Sequence, residues 1–281
     1  MTTPTAAAVQ MVSGDEVAAN LARARALLEQ AAAAGAGVAV LPENFALMAA
    51  DERTKLAHAE PEGGGPLTAF LREEAARLGL WLVGGTLPYA GATAERTRAA
   101  CLLVDDSGEI RARYDKIHLF DVQLGGGEAY RESATIEPGD TPVVADTPWG
   151  PVGLAVCYDL RFPELFRLLA DRGASWLAVP AAFTRTTGAA HWEVLVRARA
   201  IEDQVAVVAA DQGGTHPGER ATFGHSMVVD PWGAVLDRVE TGEGLALGAL
   251  DGGRLEEVRR RLPARDHRRL VDPWQPNSSE A

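Results

Sequence analysis

Residues 152–167 read VGLAVCYDLRFPELFR and join a strand to a helix through a cysteine. Positions 152–156 form a short apolar run with β-branched residues, the pattern of a buried strand. Pro163 stands where a helix can begin, and Leu165, Phe166, Leu168 and Leu169 continue it with helical spacing. Cys157 therefore falls at a strand end, in a turn leading into a helix. That geometry can lift a nucleophile out of the backbone, as in the nucleophile elbow of serine hydrolases. A buried cysteine packing as a small hydrophobe is the competing reading. The polar residues that follow, Tyr158, Asp159 and Arg161, set the turn against solvent.

The 281 residues are enough for one large α/β domain or two small ones, with a core that needs no staples. The two cysteines, Cys101 and Cys157, cannot make a disulfide framework. The first dozen residues lack the basic start of a signal peptide, and the alanine-rich run at 26–41 is broken by Glu29, Gln30 and two glycines, so it is no membrane span. A cytoplasmic protein is expected. The formal net charge of −12 excludes a general nucleic-acid binder. Cations are almost all arginine; Lys55 and Lys116 are the only lysines. A retained lysine marks a place that needs a compact ammonium, which directs attention to Lys116. The six histidines are scattered, with no HExxH or CxxC spacing, so no metal is expected. Neither GxGxxG nor a P-loop is present, so no nucleotide cofactor is expected.

Residues 5–12 read as a first strand. Ser13 and Glu16 match a capping box ahead of a helix that Gly35 and Gly37 end. A strand at 37–41 then breaks at Pro42-Glu43-Asn44. Further along come a helix at 66–78 and strands at 80–87, 98–104 and 109–114, with Lys116 just beyond the last. The polar, glycine-rich stretch 120–139 reads as a long loop. Paired strands at 143–146 and 152–156, helix 163–171, strand 175–179, helix 190–202, strand 205–210, a strand pair at 223–229 and 234–239, strand 245–250 and helix 253–262 complete the chain. Helices alternate with strands in both halves, which favours two sheet layers with helices outside. One domain, 1–274, with a flexible tail at 275–281, is expected.

Glu43, Lys116 and Cys157 each follow a strand end, and strand ends meet at one edge of a sheet. Taken singly, Glu43 reads as a turn carboxylate and Lys116 as a surface lysine. Together they are a base, an oxyanion partner and a nucleophile. LPEN (41–44), YDKIHLFD (114–121) and CYDLRFPE (157–164) resemble, in order, the three signature blocks of the nitrilase superfamily of carbon–nitrogen hydrolases. The resemblance implies a four-layer αββα sandwich that dimerises or assembles further. It implies Glu43 as general base, Lys116 as oxyanion stabiliser and Cys157 as nucleophile. The block YRES (130–133) resembles that of the family's second glutamate, which assigns that place to Glu132; Glu128 then reads as a solvated loop charge. Lys116 beside Cys157 is expected to favour the thiolate, and the Tyr158 N–H to supply a second oxyanion donor.

AFTRTTGAAHWEVLVRARAIE (182–202) and GHSMVVDPWG (224–233) resemble the Nit-type amidases of that superfamily. AADQGGTH (209–216) and RRLPARDHRR (260–269) resemble the deaminated glutathione amidase branch more than the ω-amidase branch. The implied reaction is hydrolysis of a small anionic amide through a thioester, with release of ammonia. ω-Amidase or N-carbamoyl amino acid chemistry and a non-catalytic scaffold of the same fold are the alternatives. Arg131, Arg161 and Arg185 are available to an anionic substrate, although Arg161 reads as an ion-pair partner of Asp159 or Glu164. Tyr158, Phe183 and His191 are the substrate-binding candidates, with packing as the alternative for the last two. His118 is expected to brace the Lys116 loop, and Cys101 to be core.

Overall fold

The computed structural model describes residues 3–125 and 128–269; the expected tail lies outside them. The strands are β1 (Thr5–Gln10), β2 (Ala36–Val40), β3 (Trp81–Val83), β4 (Leu87–Ala90), β5 (Thr97–Val104), β6 (Ile110–Asp115), β7 (Asp121–Gly125), β8 (Glu128–Arg131), β9 (Val144–Ala145), β10 (Val152–Leu154), β11 (Trp176–Ala181), β12 (Ala206–Asp211), β13 (Met227–Val229), β14 (Val235–Arg238) and β15 (Gly244–Ala249). The α-helices are α1 (Val17–Ala33), α2 (Pro66–Leu78), α3 (Pro163–Asp171), α4 (Arg185–Asp203) and α5 (Gly252–Arg261).

One sheet runs β15-β1-β2-β3-β5-β4, with β6 on the free side of β5; the second runs β14-β13-β12-β11-β10-β9. Strand alternation builds the layers. In the first sheet Ala6, Ala8, Val38, Val40, Val83, Cys101 and Leu103 join the core that holds β10, β11 and β12. Their neighbours Ala7, Val9, Ala39, Leu82, Leu102 and Val104 face a second core with Leu27 and Leu28 of α1 and Phe70 and Leu71 of α2. All residues of β11 and β12 are buried, as expected for parallel strands covered on both faces. Leu165, Phe166 and Leu169 of α3 and Trp192, Val196 and Ala200 of α4 close the second sheet. The architecture is αββα. Each large aliphatic side chain so buried contributes about 1.5–3 kcal/mol of transfer free energy.

Strand direction decides where the site forms. β1, β2 and β3 are mutually parallel, and β6 is antiparallel to β5, which is antiparallel to β3. So β2 and β6 end on the same edge. β10, β11 and β12 are parallel, and the Met11–Gln212 bridge runs β1 and β12 the same way. Residues that follow β2, β6, β10 and β11 therefore gather at one edge of the molecule.

Several local expectations differ from the structure. The capping box is absent: Ser13 Oγ donates to Phe45 O (2.8 Å), and Glu16 is an N-cap without a side-chain bond. The strand read at 80–87 is two strands, β3 and β4, separated at Gly84-Gly85, both pairing with β5. Gly85 has φ +57°, and a Cβ there would collide with Pro42 O; that close approach opens room for the segment carrying Glu43. The long loop at 120–139 contains the β7–β8 hairpin and a 3-10 turn, Glu132–Ala134. Helix α4 begins at Arg185, five residues before the expected start, because Thr184 caps it by accepting from Thr187 N.

Candidate active site

Cys157 opens a 3-10 turn, Cys157–Arg161, between β10 and α3, with φ +49°. A non-glycine residue there is strained and persists only where its surroundings hold it. Asp159 does the holding. Its buried carboxylate accepts from Val156 N (2.8 Å), Tyr114 OH (2.7 Å), His118 N (3.0 Å) and His118 Nδ1 (2.7 Å). The cysteine turn is thereby tied to the end of β6. His118 also stacks on Phe162 at 3.6 Å, so it braces the Lys116 segment. Arg161 forms no ion pair with Asp159 or Glu164, because Asp159 is already filled by these four donors. Its guanidinium instead lies over Tyr158 and Phe183.

Lys116 is 1 % exposed and lies between two carboxylates. Its Nζ donates to Glu43 Oε1 (2.8 Å) and to Glu132 Oε1 and Oε2 (both 2.9 Å). Glu132 also accepts from Phe120 N at 2.6 Å, which fixes the carboxylate from the other side. Glu43 is 4 % exposed. Its backbone is held by Gln212 Nε2 donating to Glu43 O (3.0 Å) and by Asn44 N donating to Thr86 Oγ1 (2.9 Å). Both flanking elements are distant in sequence.

Burial alone would raise the Glu43 pKa. The Lys116 charge and hydrogen bond outweigh it, with Cys157 beside it, and hold the carboxyl below its ordinary range. Burial would lower the Lys116 pKa; Glu132 and Glu43 instead push it well above the usual lysine value. Cys157 moves the opposite way from the expectation. Burial and the Glu43 charge raise the thiol well above its ordinary value, and Lys116 only partly opposes them. The resting cluster is therefore Glu43 carboxylate, Lys116 ammonium and neutral thiol, not a thiolate.

These groups line one cavity, with about 570 Å³ of empty space counting its open mouth. Glu43, Lys116, Glu132, Cys157, Tyr158 and Phe183 all line it. Phe183 is set by its N–H donating to the buried Asp211 carboxyl (2.8 Å). His191 does not line it: the ring is on the exposed side of α4, its Nδ1 3.3 Å from Arg161 Nη1. Of the arginines named from sequence, Arg131 lines the cavity; Arg161 and Arg185 do not. Glu128 is not simply solvated, since it accepts from Tyr130 OH (2.9 Å) and Thr186 Oγ1 (3.0 Å). Cys101 is fully buried in the core.

Sequence reasoning missed Phe120, Tyr130, Glu52, Lys55 and Arg220, which line the cavity as well, with Asn44, Ala182, Thr184 and Thr187. The scarcity of lysine was a usable signal for Lys55 as well as Lys116. Arg220 gave none, in a chain rich in arginine. Three carboxylates (Glu43, Glu52, Glu132) face four cations (Lys55, Lys116, Arg131, Arg220), so the cavity is locally positive in an acidic protein. Among the described residues no helix is long and apolar enough to cross a membrane.

A Glu–Lys–Cys cluster at the strand-end edge of an αββα sandwich defines a hydrolase of carbon–nitrogen bonds. The chain belongs to the carbon–nitrogen hydrolase family, whose model matches residues 5–260, and it is an amidase of that family. Deaminated glutathione amidase of Yersinia enterocolitica is 41% identical over 98% of this chain and 96% of its own length. The chloroplastic omega-amidase of Arabidopsis thaliana is 36% identical over 89% of this chain and 68% of its own. Among solved structures, the C. elegans NitFhit protein matches with a TM-score of 0.88 at 36% identity, covering 95% of this chain and 65% of that one.

Proposed function

We propose that Cys157 is the nucleophile of a thioester mechanism acting on a small anionic amide, of the kind named by the deaminated glutathione amidase relative. One observation carries the reading: a buried lysine between two glutamates, in one cavity with the cysteine. As Cys157 Sγ attacks the amide carbon, the Glu43 carboxylate takes its proton, and the carbonyl electrons become an oxyanion facing Lys116 Nζ. The Tyr158 N–H is the second donor in this reading. Collapse breaks the C–N bond, and Glu43 gives its proton to the leaving nitrogen. A primary amide yields ammonia, a substituted one an amine. Glu43 then takes a proton from water as it attacks the thioester; as the C–S bond breaks, Glu43 returns that proton to Sγ, releasing the carboxylic acid and restoring the thiol. Glu132 keeps Lys116 charged and in place. Because the resting thiol is neutral, proton removal and attack are coupled.

The ω-amidase reading, favoured by the Arabidopsis relative, differs only in the acyl group; N-carbamoyl amino acids are a further alternative, and a scaffold without turnover is disfavoured by the intact cluster. Amine or ammonia release from deaminated glutathione, α-ketoglutaramate and an N-carbamoyl amino acid, ranked by kcat/KM, tests the reading. The highest value is expected for the first. Release from none of them would end it.

The one-domain reading, 1–274, is supported by the inner core to which both sheets contribute. Exposed Val194 and Ile201 on one side of α4, with the exposed Trp232 in the turn at 230–233 whose Gly233 adjoins Ile201, support self-association as a homodimer or larger homo-oligomer. Two free cysteines suit a reducing, cytoplasmic compartment.

A further inference from the structure

We infer that Arg220 and Lys55, held together by Glu52 on the wall of the catalytic cavity, form a carboxylate-binding subsite and so select amides that carry an anionic group. The inference rests on the amidase reading and specifies how its substrate is chosen. Lys55 comes from the 3-10 turn Glu52–His58, and Arg220 from the segment after β12. Glu52 draws them together: Arg220 Nη1 donates to Oε1 (2.7 Å) and Lys55 Nζ to Oε2 (2.5 Å). One carboxylate thus serves two cations, and one positive charge is left over. At Lys116 the balance is reversed, with two carboxylates on one cation.

The surplus is aimed at the cavity. Lys55 is 8 % exposed and lines it with Arg220. Among the described residues Arg220 Nε has no hydrogen-bond partner, so Glu52 satisfies the guanidinium only in part. The Tyr130 ring lies 5.4 Å from the guanidinium carbon and backs its face, leaving its donor edges to meet an acceptor. A planar carboxylate matches that fork. Arg220 also lies within electrostatic reach of Glu43 and Cys157, so a ligand anchored there can span to the thiol. An anion has reason to choose this pair, because the two cations share one carboxylate whereas two carboxylates already crowd Lys116.

The test pairs affinity with turnover. Calorimetry measures binding of glutarate, a bare dicarboxylate, to the wild type, Arg220→Gln, Arg220→Lys and Glu52→Gln. Turnover compares glutaramate with valeramide, equal in chain length and differing in the terminal carboxylate. Arg220→Gln is expected to weaken glutarate about 10- to 100-fold and to lower the glutaramate/valeramide ratio of kcat/KM by a similar factor, mostly through KM, with Arg220→Lys intermediate. Glu52→Gln removes the competing anion and should tighten glutarate severalfold, a gain that a purely structural role for the cluster would not give. If Arg220→Gln fails to fold, Glu52→Gln carries the test alone. Glutarate binding that changes less than twofold in every folded variant overturns the subsite, even if amides are hydrolysed. Binding that responds as stated, in a protein that hydrolyses no amide, overturns the amidase reading and leaves the subsite standing.

Discussion

Asp159 accepts two hydrogen bonds from one residue, from the backbone N–H and Nδ1 of His118, and through them fixes the turn of Cys157 to the strand that delivers Lys116. A carboxylate oxygen only accepts, so His118 Nδ1 must carry the proton. Replacing Asp159 by Asn puts an amide donor against at least one of the four donors now satisfied. A cost of roughly 2–3 kcal/mol is expected, seen as a fall in Tm of about 4–10 °C. kcat should fall more than KM rises, since the cavity wall remains while the thiol shifts. A variant with wild-type Tm and kcat would refute the bracing role.

Gly85→Ala tests the backbone packing behind Glu43. The glycine has φ +57°, and a Cβ would meet Pro42 O. Both effects act against the native state, so more than about 1 kcal/mol of destabilisation is expected by denaturant titration. Because Pro42 precedes Glu43, kcat should also drop. Unchanged kcat in the folded variant would separate the glycine from the site.

Glu43→Gln keeps the shape of the side chain but cannot take a proton. Loss of general-base catalysis predicts a fall in kcat of about 10²- to 10⁴-fold, with KM little changed and Lys116 still held by Glu132. A fall below tenfold would point to another base.

The pH dependence follows from the directions of the shifts. The Glu43 pKa is depressed, so its carboxylate, and the activity that needs it, persist below the ordinary carboxylate range and are lost only as pH falls through the depressed value. The Cys157 thiol is raised, so alkylation by iodoacetamide should increase only above the ordinary thiol range. Rapid alkylation with an inflection near neutral pH would contradict the neutral resting thiol. For stability the sign is the same for Glu52. Its pKa falls from 4.5 to about 2 beside Lys55 and Arg220, against burial that would raise it. Its contribution is complete above 4.5 and disappears toward pH 2. The carboxylate is partly exposed, so water screens the effect; Glu52→Gln should flatten the stability profile across that window.

Much of the fold was legible because local chemistry and tertiary packing agree. Helices α2 and α3 lie where the sequence puts them, each opening on a proline, with Gly79 in the left-handed conformation closing the first. The gathering of Glu43, Lys116 and Cys157 was legible because strand ends share an edge. Features set by distant partners were not. Ser13 looks like a cap, but Phe45 O claims its hydroxyl. The β7–β8 hairpin is hidden by glycines that read as loop. Lys55 and Arg220 are 165 positions apart in sequence, and only Glu52 between them reveals that they act together. The thiolate expectation counted the charge of Lys116 but not burial or Glu43, which outweigh it.

The central claim, a thioester on Cys157, is tested most directly by acid-quenching the enzyme during turnover and measuring the mass of the peptide that contains Cys157. An added acyl group of the substrate on that peptide is predicted, with the adduct and all amine release lost in Cys157→Ala. Steady turnover without an adduct, or undiminished release by Cys157→Ala, would contradict it.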